Sequence, residues 1–184
     1  MTSRIRLPFL GTTTLLLTTL LAAGCGDSAS PEEGDTAWEE YETIDGELVE
    51  ISRNYFAQAA DGTVCYFGEE VDDYEGGQVS DHGGAWRADD PGNRAGIIMP
   101  ALPAVGTGYW QEIAPGVAED RARVIAAGEP ISLPEGEFTD TVEMLESSAI
   151  EPGTSEKIYV RGVGMVFDSG LELVSITRPN DAAE

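Results

Sequence analysis

From residue 47 onward the chain reads as short runs of apolar and polar positions, cut by glycine, proline and aspartate. In "ELVEISRNYFAQ" (47–58), Val49, Ile51 and Tyr55 share one face of an extended strand, with Arg53 among them. Asp61-Gly62 follows, a strong hairpin-turn pair, and "TVCYFGE" (63–69) supplies the returning strand. Beyond it, "EGG", "HGG" and "DPGN" punctuate the chain, leaving short strands around Val79 and at Ala85-Trp86-Arg87. Pro100 and Pro103 forbid a helix in "GIIMPALPAVGTG". "TGYWQEIAPG" reads as a strand ending in a Pro-Gly turn. Residues 117–127 fit a helix by alanine content and a strand by Val124 and Ile125; strand is the preferred reading. "GEFTDTVEMLESSAI", "SEKIYVRG", "VGMVFDSG" and "LELVSIT" complete the run. No long amphipathic helix is visible after the first residues, except over 36–44. The spacing predicts an all-β fold: a single antiparallel meander forming a curved sheet or half-barrel.

Gly162-Val163-Gly164 superficially resembles a phosphate-binding turn. A dinucleotide fingerprint needs a third glycine and a helix opening at the phosphates. Here "MVFDSGLELVSI" follows, rich in β-branched and aromatic residues, and no Lys-Ser/Thr pair of a P-loop is present. The glycines are read as a bend or bulge in strand structure, and Asp168-Ser169-Gly170 as a tight turn between the last two strands.

The first residues carry a different pattern. Arg4 and Arg6 precede the apolar run "LPFLGTTTLLLTTLLAA" (7–23), short for a bilayer span and suited to a signal peptide. It ends in Leu21-Ala22-Ala23-Gly24-Cys25, which resembles the lipobox of bacterial lipoproteins, although Ala22 stands where leucine is commonest. The resemblance implies cleavage before Cys25, acylation of its thiol, and a membrane anchor that two or more acyl chains make firm. Gly26 follows Cys25, so the aspartate retention signal of some lipoproteins is missing, and the membrane of destination stays open. The expected organisation is a leader over 1–24, a flexible acidic linker over 25–37, a β domain over 38–178 and a tail over 179–184.

Composition narrows the partners. The 184 residues hold 10 Lys+Arg against 34 Asp+Glu. Loss of Arg4 and Arg6 with the leader leaves a formal charge of about −26. A chain this acidic repels phosphates, which excludes nucleic acid as a partner, and favours a basic envelope protein or cations. Apart from Cys25 the chain has one cysteine, Cys65, in an apolar strand pattern. With Cys25 acylated, Cys65 is expected to be a free, buried and inert thiol.

Candidate chemistry is sparse. Asp72, Asp73 and Glu75 form an acidic loop that suits weak Ca2+ binding, although Tyr74 interrupts the oxygen ligands an EF-hand would need. Glu112, Glu119 and Asp120 are the candidate acid–base carboxylates of a hydrolase, with Arg121 or Arg123 as their structural ion-pair partners. His82 is the single histidine, and adjacent Ser80 and Asp81 do not make a triad with it. No catalytic residue and no cofactor is assigned. Tyr109-Trp110 and Trp86 are candidate rim aromatics of a ligand cavity. "LPEGEFTDTVEM" and "EKIYVRGVGMVF", with "ISRNYFAQAADGTVCYFGEEVDDY" and "YWQEIAPGVAEDRA", are similar to uncharacterised bacterial secreted and lipoprotein domains. That resemblance implies a curved antiparallel sheet and no nameable activity. The expectation is a lipid-anchored envelope β-domain that binds a partner protein or an apolar ligand, with a small carboxylate-dependent hydrolase as the alternative. An apolar cavity favours ligand binding; a cleft with two facing carboxylates favours the hydrolase.

Overall fold

The computed structural model describes Cys25 and residues 37–176; the leader, the linker after Cys25 and the tail lie outside the described residues. Fourteen strands follow in order: β1 (Ala37–Ile44), β2 (Glu47–Gln58), β3 (Val64–Glu75), β4 (Gln78–Asp81), β5 (Trp86–Arg87), β6 (Gly96–Met99), β7 (Gly108–Trp110), β8 (Asp120–Ala127), β9 (Ile131–Leu133), β10 (Gly136–Phe138), β11 (Thr141–Ser148), β12 (Ser155–Val160), β13 (Gly164–Asp168) and β14 (Leu171–Glu172). The fold is all-β, and every strand pairing is antiparallel.

The strands divide into two six-stranded sheets and a small β9–β10 hairpin. In the first sheet β1-β2-β3-β4 run in sequence, and β5 and β6 pair farther along β3; the second has the order β14-β13-β12-β11-β8-β7. Neither sheet closes into a barrel. Ala37–Ile44, within the 36–44 segment that left room for a helix, is strand β1, zipped to β2 from Ala37↔Tyr55 to Ile44↔Glu47. Asp45 and Gly46 both adopt positive φ, at 53° and 84°, the conformation that a two-residue hairpin turn of matching twist requires. Within 117–127, Asp120–Ala127 form strand β8, and the residues before it belong to the turn that leads into it. The β2–β3 hairpin turns at Asp61-Gly62, where the Asp61 side chain accepts from the Thr63 N–H at 2.9 Å.

A bulge shapes the first sheet. Pairing of β2 with β3 shifts between Asn54 and Phe56, and Gly68, opposite, has φ +122°. A Cβ at Gly68 would overlap the Trp86 carbonyl, so the bulge lets β5 lie directly on β3. Trp86 then meets Tyr66 edge-on with ring centroids 5.4 Å apart, and Phe56 lies 4.8 Å from Tyr66 on its other side. Ala114 and Ala118, joined across the turn Pro115-Gly116-Val117, complete this cluster. On the second sheet Val124, Met144 and Val166 are fully buried.

Cys65 is buried as expected, but it is not a free thiol. It is bonded to Cys25 in a disulfide, with 5.6 Å between the Cα atoms. A sulfur in a disulfide has no valence left for a thioether, so this bond and lipid on Cys25 are alternatives at one atom.

Candidate functional site

Between the two sheets lies an apolar cavity of about 500 Å3. Phe56 of β2, Val64 of β3 and Met99 of β6 line one wall; Val142 of β11, Tyr159 of β12 and Met165 of β13 line the other. Each wall arises from strand alternation: residues two apart on adjacent strands turn to the same side. Gly162 and Val163 belong to the β12–β13 turn and Gly164 opens β13, all at the mouth of this cavity, with φ +74° at Gly162 and +113° at Gly164. The turn cradles no phosphate: β13 follows it, where a helix would be needed. Pro100, Ala101 and Pro103 form the opposite lip. At the rim Arg161 Nε lies 2.8 Å from Asp140 Oδ2, an exposed pair of small energetic weight.

Besides the Asp140–Arg161 pair, one ammonium lines the cavity. Lys157 Nζ sits 3.0 Å from Glu146 Oε2 and 3.7 Å from Asp168 Oδ2. Burial works against the ammonium, but Glu146, with Tyr159 and Asp168, outweighs it and holds the lysine charged. Glu146 is 6 % exposed and also accepts from the Gln111 side-chain amide. The Gln111 Oε1 atom, also buried, has no hydrogen-bond partner among the described residues. Tyr109 donates its hydroxyl to Met144 Sδ at 2.9 Å, tying β7 to the core of the second sheet.

The predicted acid–base set is split by the fold. Glu119 accepts the Gly116 N–H at 2.7 Å and closes the 114–118 turn. Asp120 offers its backbone carbonyl to the N–H groups of Gln111 and Glu112. Glu112 instead interacts electrostatically with Glu69, which the sequence placed only near the acidic stretch Asp72, Asp73 and Glu75. Burial pushes the Glu112 carboxyl up to about 8, reinforced by Glu69, Asp120 and Glu146. Burial likewise pushes Glu69 up to about 7, with the Tyr66 hydroxyl and Lys157 opposing and Glu50 and Glu40 adding to the rise. Neither carboxylate lines the inter-sheet cavity, so the pair lacks a place there for a substrate.

The pair has a consequence for stability. A carboxyl whose folded-state value is raised stabilises the fold only while it is protonated. That contribution is complete below about 4.5 and is lost as pH rises through about 7 and 8. Wild-type protein is therefore expected to melt lower at pH 9 than at pH 5. Glu112→Gln should leave the pH 5 melt nearly unchanged and gain about 2–3 kcal/mol at pH 9, roughly 5–10 °C by thermal melting.

The candidate Ca2+ loop is strand. Asp72 and Asp73 are adjacent on β3 and leave on opposite faces. Asp72 is already engaged, 3.3 Å from Arg53 Nη1 and 3.0 Å from His82 Nδ1. Glu75 begins the turn into β4. Among the described residues no group of three His, Cys, Asp or Glu side chains converges as metal ligands. His82 also contacts the Val71 carbonyl at 2.8 Å, which gives it a structural place.

Among the described residues no helix is long and apolar enough to cross a membrane. In comparison with known proteins, the chain matches no family model, no curated protein and no solved structure.

Proposed function

We propose that the chain is an extracytoplasmic, lipid-anchored β-domain that holds an apolar ligand in its inter-sheet cavity. The observation that carries this reading is the cavity itself: about 500 Å3, walled by Phe56, Met99, Val142 and Met165, with its lone ammonium already neutralised by Glu146 and Asp168. Clefts of this size and lining suit small molecules. The leader and its Leu-Ala-Ala-Gly-Cys end support export. The Cys25–Cys65 pairing supports the same location, since such bonds persist in oxidising compartments. Thioether and disulfide compete for the Cys25 sulfur: acylated chains carry the anchor, and chains that escape acylation carry the bond.

Mass spectrometry of the full chain expressed with its leader in a bacterium tests both halves. A lipid-bearing mass indifferent to reductant supports the anchor. A lipid-free mass that gains two hydrogens on reduction assigns the sulfur to Cys65 and removes the anchor from the reading. A second mass released from native protein, and lost in Val142→Phe, supports the cavity ligand. Bare protein after exposure to a membrane lipid extract overturns it.

A further inference from the structure

We propose that the outer face of the second sheet carries a separate site for a small apolar carboxylate. A cleft of about 480 Å3 opens there, lined by Gly108 and Trp110 of β7, Arg121 and Arg123 of β8, and Leu145 and Ser147 of β11. Register explains its shape. Trp110 pairs with Arg121 and Gly108 with Arg123, while β11 sets Ser147 beside Arg121 and Leu145 beside Arg123. Gly108 has no side chain, so a notch opens at Arg123, with the Trp110 ring at one end and Leu145 along the floor.

Among the described residues the two arginines share with Arg94 the lack of an ion-pair partner, and they alone stand together on one face. Sequence reading assigned them as ion-pair partners of Glu112, Glu119 or Asp120. Instead, neither forms an ion pair with any described residue, although acids outnumber bases 34 to 10. Arg53, Arg87, Arg161 and Lys157 all have carboxylate partners. The acids nearest in register, Glu143 and Glu156, do not reach either guanidinium. Arg121 is held over the Trp110 ring, 4.7 Å from its centroid. Residues two apart on a strand stand about 7 Å apart on one face, so both guanidiniums can converge on a single carboxylate. Guanidinium geometry matches that group in a bidentate fork. Trp110, 41 % exposed, and Leu145, 38 % exposed, offer apolar surface for the rest of the ligand.

Charge sets the ligand's size. A net charge of −24 repels a polyanion over its whole length, whereas a single carboxylate meets only the local positive pair. An acidic peptide or polysaccharide is therefore disfavoured against a small monocarboxylate with an aromatic or aliphatic body.

Titration calorimetry of the full chain with 2-naphthoate, and with neutral 2-naphthamide of the same shape, tests the site. The carboxylate is expected to bind at least tenfold more tightly than the amide, and more weakly as salt is raised. Arg121→Gln/Arg123→Gln should erase that preference. Gly108→Val, which fills the notch and keeps both arginines, should weaken both probes at least fivefold. A Cβ at Gly108 meets only the Ala122 carbonyl, at an ordinary 3.6 Å, so this variant should fold. Equal binding of the two probes, a preference that survives the double arginine variant, or no heat at millimolar probe would overturn the proposal. A preference surviving in that variant would place the carboxylate elsewhere, the inter-sheet cavity included.

Discussion

Gly96→Ala is expected to cost the native fold heavily, as would Gly68→Ala, where a Cβ meets the Trp86 carbonyl and φ is +122°. Gly96 opens β6 of the first sheet, and a Cβ on it would overlap the Gln111 carbonyl beyond β7 of the second. Two residues away, Arg94 donates its backbone N–H to the Ile113 carbonyl at 3.0 Å. This seam is a backbone-to-backbone approach between the sheets, so no side chain can swing aside to make room. Overpacking by a side chain typically costs about 1–3 kcal/mol; displacing two backbones should cost at least about 4 kcal/mol, a large part of an ordinary domain's stability. Thermal melting by circular dichroism should show a loss of more than about 10 °C, or no cooperative transition. Gly108→Ala is the matched control, because a Cβ there meets only an ordinary contact, and it should melt within about 2 °C of wild type. If the two variants melt alike, the seam is not what locks the sheets together.

That seam was invisible in the sequence, and the reason is general to this fold. Alternation says which side chains share a face, and turn residues say where strands end; both act over a few positions. So the 47–69 hairpin, the Asp168-Ser169-Gly170 turn and the extended reading of 120–127 were legible. Which sheet a strand joins depends on long-range pairing, so the division into two sheets was not. Residues 36–44 fit either period because Trp38, Tyr41 and Ile44 recur at helical spacing, and pairing with β2 decided for strand. The Glu69–Glu112 pair required the Gly68 bulge, which no local pattern announced.

The site shows the same division. Gly162-Val163-Gly164 could be stripped of a phosphate role from its neighbours alone. Its place at a cavity mouth needed Phe56, Met99, Val142 and Met165, which are far apart in the chain. Cys25 and Cys65 are 40 residues apart, and a lipobox-like context gave Cys25 a different chemistry. The unpaired state of Arg121 and Arg123 was equally hidden, since in so acidic a chain every cation looks paired until the register is known.

Lys157→Met should be the most damaging change in the cavity wall, and its damage should depend on pH. Methionine can follow the lysine stem along the apolar wall, so the loss is one of charge rather than of packing. Glu146, almost fully buried, would keep only the Gln111 amide as a donor. Breaking such a pair typically costs about 3–5 kcal/mol, because a buried charge is left without compensation. Asp168 is more exposed and can turn to water, so the cost centres on Glu146. An unpaired buried carboxylate is neutralised by protonation, so the defect should be large at pH 8 and shrink toward pH 4. Lys157→Met/Glu146→Gln should recover most of the stability. The new amide carries no charge, and its N–H can reach the Gln111 Oε1 that lacks a partner among the described residues of the wild type. Urea unfolding of the three proteins at pH 4, 6 and 8 reads all of this. A single variant as stable as wild type at pH 8 would mean that Glu146 tolerates burial without Lys157. The ammonium would then be available to a ligand in the cavity instead of being consumed by the fold.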